Sequence, residues 1–202
     1  MTYTGGRSSS WRPLRQLPSC EWSEAEFCLV SERGRLVELS DGNIEIPPRP
    51  ADTHQLLLMR LAFALHAYVV AHRLGEVRFA PLPVRLWEGK IREPDFMFMS
   101  AAHAGRIGKY WGVPDLVGEI VSPGGEITDR RIKRAEYAQA GIPEYWIVEP
   151  DAKTIELLRL LEDPSASRSY GACRIFTATE MLLVSPTLPG YSLALAELFA
   201  PE

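Results

Sequence analysis

The sequence predicts an α/β fold with a mixed central sheet flanked by helices and extended by additional antiparallel strands. Three observations carry the prediction. Residues 94–99, 115–121 and 144–149 are short runs apolar on both faces, as buried central strands are. A helical pattern over residues 128–140 separates the second run from the third, which makes one βαβ crossover. Residues 153–160 and 170–177 then alternate as antiparallel strands do.

The elements follow in order. Residues 23–31 read as a short amphipathic helix with Phe27, Leu29 and Val30 available for burial. The runs 35–39 and 44–46 flank Ser40-Asp41-Gly42-Asn43, and an Asp-Gly between alternating runs signals a hairpin. Pro47, Pro48 and Pro50 end that unit. Asp52 or Thr53 can cap a long, well-buried helix to Arg73, with Gly75 closing it. Residues 76–87 look like one strand, made an edge or bulged strand by Pro81 and Pro83. A turn at 88–90 leads to the run 94–99, and a loop rich in basic residues spans 100–113. Ser122-Pro-Gly-Gly125 breaks the next strand, and Gly141 closes the helix that follows. Leu188-Pro-Gly-Tyr191 leads into a short terminal helix over 193–199. No linker divides residues 23–202, so they form a single domain. Residues 1–22, with three arginines and no acid in the first 18, read as a disordered extension.

Composition narrows the class. The chain has 202 residues, 46% hydrophobic and 24% charged, enough apolar content to exclude disorder throughout. The longest apolar stretch, 61–71, contains His66 and is too short to span a bilayer, so no membrane partner is expected. Cys20, Cys28 and Cys173 form no Cys-x-x-Cys and have no histidines clustered beside them, which leaves a structural zinc site without support. They read as small buried hydrophobes in a reducing, cytoplasmic setting. A net charge of -4 argues against a protein that coats nucleic acid with a basic surface.

Two acids stand out by their neighbours. Asp95 precedes Phe-Met-Phe-Met, and Glu119 lies between Leu-Val-Gly and Ile-Val. An ionised acid in a buried strand is costly unless it is paired or holds a metal. Asp95 and Glu119 on neighbouring strands could converge on one divalent cation, with the backbone carbonyl of Ile120 as a further ligand. Equally, each could sit at a strand end beside an Arg or Lys. Glu93 and Asp115 are weaker candidates at strand edges. Lys133 follows on the next helix, where an ammonium could polarise a phosphate. By spacing alone, Asp129 and Lys133 form an ordinary exposed helix pair.

Pro94-Asp95, then Pro114-Asp-Leu-Val-Gly-Glu119-Ile-Val-Ser-Pro123, Asp129-x-x-x-Lys133, and Tyr137-x-x-x-Gly141-Ile-Pro-Glu-Tyr-Trp-Ile-Val-Glu-Pro150 together form a recognisable pattern. It resembles the Uma2 family, a group assigned to the restriction endonucleases and once catalogued as a domain of unknown function. The Leu36–Gly42 hairpin, His54 and the stretch 188–199 also look like family features, so the resemblance covers roughly residues 23 to 200.

The resemblance implies a restriction-endonuclease-like fold of the PD-(D/E)xK superfamily and Mg²⁺-dependent hydrolysis of DNA phosphodiesters, with Mn²⁺ as a substitute. It implies that Asp95 and Glu119 hold the metal. The superfamily's usual lysine position, two residues after the second acid, is Val121 here; Lys133 takes its place in the Uma2 pattern. Glu45 is the acid that would join from the N-terminal part. His54 is expected to cap a helix or sit in the core. Related nucleases cut two strands as dimers, so a homodimer is implied as well. Two alternatives stay open: a catalytically inactive nuclease-fold module that binds DNA or protein, and a metal-dependent hydrolase of another substrate.

Charge is unevenly spread. Between Arg85 and Arg134 there are nine basic and seven acidic residues, a net of +2, against -6 for the rest. The expectation is a modestly basic segment around the site, giving weak, salt-sensitive affinity for DNA.

Overall fold

The computed structural model describes residues 21–32, 36–161, 167–179, 181–182 and 185–201. The extension expected over residues 1–22 lies outside them except for its last two residues, and Cys20 lies outside them too.

Ser23 starts α1 (Glu24–Ser31) through a capping box: its hydroxyl accepts from the Glu26 N–H, and the Glu26 carboxylate accepts from the Ser23 N–H at 2.9 Å. Phe27 is the residue α1 buries, against Val37, Leu39 and Ile91. The expected hairpin forms as β1 (Glu38–Ser40) and β2 (Asn43–Glu45), with Asp41 and Gly42 both at positive φ in the turn. It joins β4 (Val84–Trp87) and β5 (Lys90–Arg92) in a small antiparallel sheet of order β2-β1-β5-β4.

The long helix is α2 (Asp52–His72). Its N-cap is Ala51, so neither Asp52 nor Thr53 caps it, and Asp52 instead lies in the first turn where its charge suits the helix dipole. Arg73, in the left-handed conformation, closes α2; Gly75 already begins β3 (Gly75–Phe79). At 21 residues, close to the length expected, α2 is long and apolar enough to cross a membrane by length and composition, although its longest apolar stretch, 61–71, is shorter. Its inward face, with Leu57, Leu61, Leu65 and Val69, is buried in the protein core.

The single strand expected over 76–87 is two strands in different sheets. The proline-rich step at residues 80–83, with a cis Ala80–Pro81 bond, carries the chain from β3 to β4. The large sheet is completed by β6 (Phe96–Ser100), β7 (Leu116–Ile120), β8 (Glu144–Glu149), β9 (Thr154–Leu160) and β10 (Tyr170–Thr177). Its order is β10-β9-β8-β7-β6-β3. Only β7 and β8 run parallel, joined by a π-helical turn (Thr128–Lys133) that runs into α3 (Arg134–Ala140). This is the predicted crossover in a mixed sheet. The loop at 100–113 contains a 3-10 turn, Ala101–Arg106. A two-stranded ribbon, β11 (Met181–Leu182) and β12 (Leu193–Ala194), and α4 (Leu195–Leu198) end the chain.

Both faces of the large sheet are covered around β6, β7 and β8, which explains why those three strands read as continuously apolar. Phe96, Phe98, Leu116, Ile120, Trp146 and Val148 pack with α2. Met97, Met99, Val117, Tyr145 and Ile147 pack with Tyr137, Ala138 and Ile142.

Candidate active site

The strand pairing brings the two suspect acids together. β6 and β7 are antiparallel with Phe96 opposite Gly118, so one step further along Asp95 comes opposite Glu119. Gly118 permits that pairing. A Cβ there would lie 1.9 Å from Cζ of Phe96, whose buried ring occupies the space. Asp95 and Glu119 then line a cleft of about 840 Å³ between the small sheet, the start of α2 and the π-helical turn.

Asp95 is clamped from two sides. Its Oδ2 accepts the Ile120 N–H at 2.7 Å and lies 3.0 Å from His54 Nε2. Ile120, expected to offer its carbonyl to a metal, lines the cleft, and its N–H is what touches Asp95. Glu119 is buried, and its Oε1 accepts the Tyr137 hydroxyl at 2.5 Å and meets Lys133 Nζ at 2.9 Å.

Lys133 does not form the exposed pair that its spacing suggests. The π-helical turn places both Lys133 and Asp129 inward, each 7% exposed, with Nζ 3.7 Å from Asp129 Oδ1 and 3.5 Å from Glu38 Oε1. π turns are rare and frequently occur at functional sites. Burial works against the Lys133 charge, but the carboxylates of Glu119, Glu38, Asp129 and Asp95 outweigh it and hold its pKa well above the ordinary lysine value.

The carboxyls around it divide into two kinds. Burial, reinforced by Asp129, Asp95 and Glu38, raises Glu119 well above the carboxylate range, against the pull of Lys133. Burial also pushes Asp129 up to about 6 and Glu93 up to about 8, where the nearby Glu38 charge adds to it. Glu38 goes the other way: burial opposes its charge, but Lys133, Arg92 and the Glu93 N–H at 3.0 Å hold it below its usual value.

Glu45 reaches the same cleft but is paired with Arg92, as is Glu38 at 2.8 Å. The Arg92 guanidinium is fully buried and also bonds Glu136 of α3 at 2.7 Å, with Lys90 beside it 3.0 Å from the same residue. This ionic lattice ties the small sheet to α3 beneath the cleft. Asp115, by contrast, lies at the other end of β7, bonded to His103 Nδ1 at 2.6 Å and to the Ser100 N–H. Ser100 Oγ lies 3.3 Å from that same His103 nitrogen, so the three make no relay of the kind a serine nucleophile needs.

His54 does not cap α2; it is buried, one of the two placements expected from the sequence, and it touches Asp95. Glu38 was missed, although it obeys the same signal as Glu119: an acid within Leu36-Val37-Glu38-Leu39, a run that buries its neighbours. Tyr137 gave no sign in the sequence of its bond to Glu119. Of the three cysteines, Cys28 is free and half-buried, its Sγ 2.8 Å from the Glu24 carbonyl oxygen.

The donor set suits a hard divalent ion. Mg²⁺ takes one or two carboxylates and completes its shell with water and phosphate oxygens. Among the described residues, no three His, Cys, Asp or Glu side chains form a group placed to hold a metal ion, so a cation here would draw on Asp95 and Glu119 together with backbone or water oxygens. Burial is the main cause that raises Glu119 and Asp129, and the carboxylate repulsion that adds to it is what a divalent cation would relieve.

The basic segment expected around the site is consumed internally. Seven of its nine cations are in ion pairs, among them Arg85 with Glu24 at 2.9 Å and Arg130 with Glu156 at 2.7 Å. The cleft itself is lined by eight carboxyl residues and three cationic ones.

A family model described as "Uma2: Putative restriction endonuclease" matches residues 22–196. The fold matches a crystal structure from Anabaena variabilis ATCC 29413, described as "a putative nuclease belonging to DUF820", with a TM-score of 0.72 and 19% sequence identity. That match covers 89% of this chain and 98% of the other, and at this identity it speaks for the fold. No curated protein matches the chain. With the family model spanning nearly the whole chain, and the paired acids and buried lysine in place, the protein belongs to the Uma2 family.

Proposed function

We propose that the protein is an endonuclease that hydrolyses DNA phosphodiester bonds with the help of Mg²⁺ or Mn²⁺. The observation that carries this reading is the register of β6 and β7, which sets Asp95 level with Glu119 just beyond the Phe96–Gly118 pair, with the Lys133 ammonium 2.9 Å from Glu119 in the same cleft. Asp95 and Glu119 would hold the cation, with the Ile120 carbonyl as a backbone ligand. A bound divalent cation supplies an acidified water and neutralises charge building on the phosphate.

The protein's own groups do the rest. Tyr137 donates to Glu119 Oε1 and fixes its carboxylate. Ile120 N–H and His54 fix Asp95. Lys133, held by three carboxylates, presents a fixed positive charge beside the metal-binding pair, where it stabilises negative charge on a transferring phosphate without reorganising.

Supercoiled plasmid incubated with the purified protein and Mg²⁺ or Mn²⁺ tests this reading. Nicked or linear product is expected from the wild type and none from Glu119→Ala or Asp95→Ala. Cleavage that persists in either variant, or that proceeds in EDTA, overturns the assignment.

A further inference from the structure

His54 is the third residue of α2, in its first turn, and is buried. Its Nε2 lies 3.0 Å from Asp95 Oδ2, and among the described residues its buried Nδ1 has no hydrogen-bond partner. A histidine kept for stability alone would be expected to satisfy both ring nitrogens, because a buried polar atom without a partner is a cost. Among the described residues, the ring's one polar contact is Asp95. That same Oδ2 already accepts the Ile120 N–H at 2.7 Å. Two donors from two different elements, α2 and β7, therefore converge on one oxygen and define the carboxylate plane.

We propose that His54 is a positioning residue that donates from Nε2 to Asp95 Oδ2 and leaves Oδ1 to a divalent cation in the cleft. The proposal rests on the reading of Asp95 and Glu119 as cation ligands. A carboxylate accepts and cannot donate when ionised, so the bond places a ring proton on Nε2. Hydrogen bonds to a ligating carboxylate fix its orientation before the ion arrives, which is how outer groups raise metal affinity. The location at the helix start suits the task. The first turn of α2 follows the proline-rich segment at 47–50 and is anchored by Leu57, Leu58 and Leu61 in the core, so the imidazole is held by a rigid element.

The test uses the full chain and Mn²⁺, whose free concentration is followed by electron paramagnetic resonance, together with melting temperatures in EDTA. Wild type, H54Q, H54N, H54A and D95N are compared. Glutamine carries an amide N–H close to the position of Nε2, whereas asparagine reaches only the position of Nδ1. H54A and H54N are expected to bind Mn²⁺ about 10- to 100-fold more weakly, and H54Q to bind like wild type. Equal Mn²⁺ affinity in wild type and H54A overturns the proposal. So does a melting temperature in EDTA that falls in H54A and H54N while Mn²⁺ affinity holds, since that is a packing role. H54Q as weak as H54A overturns it too. If instead wild type binds no Mn²⁺, or D95N binds it as well as wild type, the reading of the site itself falls, and the role of His54 with it.

Discussion

The Lys133 ammonium and the Glu119 carboxylate lie 2.9 Å apart, each less than a tenth exposed, so this ion pair belongs to the protein interior. The same ammonium serves Glu38 at 3.5 Å and Asp129 at 3.7 Å. Lys133→Met keeps the unbranched shape of the side chain, one atom shorter, and removes its charge, leaving three carboxyls without their shared partner. Breaking a buried pair from one side costs about 3–5 kcal/mol. Urea unfolding in EDTA should show a loss of that order, and Mg²⁺ should recover part of it by occupying the same carboxyls. A loss near the value of an exposed pair, about 0–1 kcal/mol, would mean that the lysine is solvated.

Gly118 opposes Phe96 in the register that brings Asp95 level with Glu119. The Phe96 ring is fully buried, and a Cβ on residue 118 would lie 1.9 Å from it. Gly118→Ala therefore overpacks the core, at a cost of about 1–3 kcal/mol, and pushes β6 and β7 apart beside Asp95 and Glu119. Mg²⁺ stabilisation of the fold, read as a shift in melting temperature, should shrink in parallel. Adding Phe96→Leu should return part of both losses, since residues in contact couple. Additive effects in the double variant would place the ring elsewhere.

Much of the architecture was legible because its signals are local. The apolar runs, the Asp41-Gly42 turn and the helix between β7 and β8 all follow from short patterns, and Asp95 and Glu119 stood out as acids in apolar strands. What escaped notice depends on long-range placement. The step from β3 to β4 changes sheets, which the prolines at 81 and 83 mark only as an irregularity. The π turn rotates Asp129 and Lys133 inward together, so spacing suited to a surface pair serves a buried one. Arg92 and Lys90 looked like part of a basic face, yet their partners Glu38, Glu45 and Glu136 come from three other elements. Net charge along a segment says nothing about which charges cancel in space.

Glu38 gives the fold an acid sensitivity with a definite sign. Burial opposes its charge, but Lys133 and Arg92 hold its pKa below the ordinary value of 4.5. A depressed carboxylate contributes stability that is present above its unfolded pKa and is lost as pH falls through the folded one. Urea midpoints should therefore drop as pH falls below about 4.5 in wild type. Glu38→Gln should be less stable at pH 7, because Arg92 and Lys133 lose a counter-charge, and its midpoint should fall less steeply in acid. Parallel acid profiles for the two proteins would remove Glu38 from the account.

DNA affinity should depend on divalent cations more than on protein cations. Eight carboxyl residues line the cleft against three cationic ones, and those three are buried in ion pairs. Arg49 and Arg131 are exposed, and each is next in sequence to residues that line the cleft; neither forms an ion pair among the described residues. Each phosphate neutralised by a protein cation adds about 0.9 to the salt slope of binding. Two such contacts give a slope of about 2 in magnitude, far below that of a basic groove. Fluorescence anisotropy with a labelled duplex should show negligible binding in EDTA, and binding of shallow salt dependence once Ca²⁺ is added in place of Mg²⁺. Tight, steeply salt-dependent binding in EDTA would show that a basic surface away from the cleft holds the DNA. The acidic cleft would then have no part in capture.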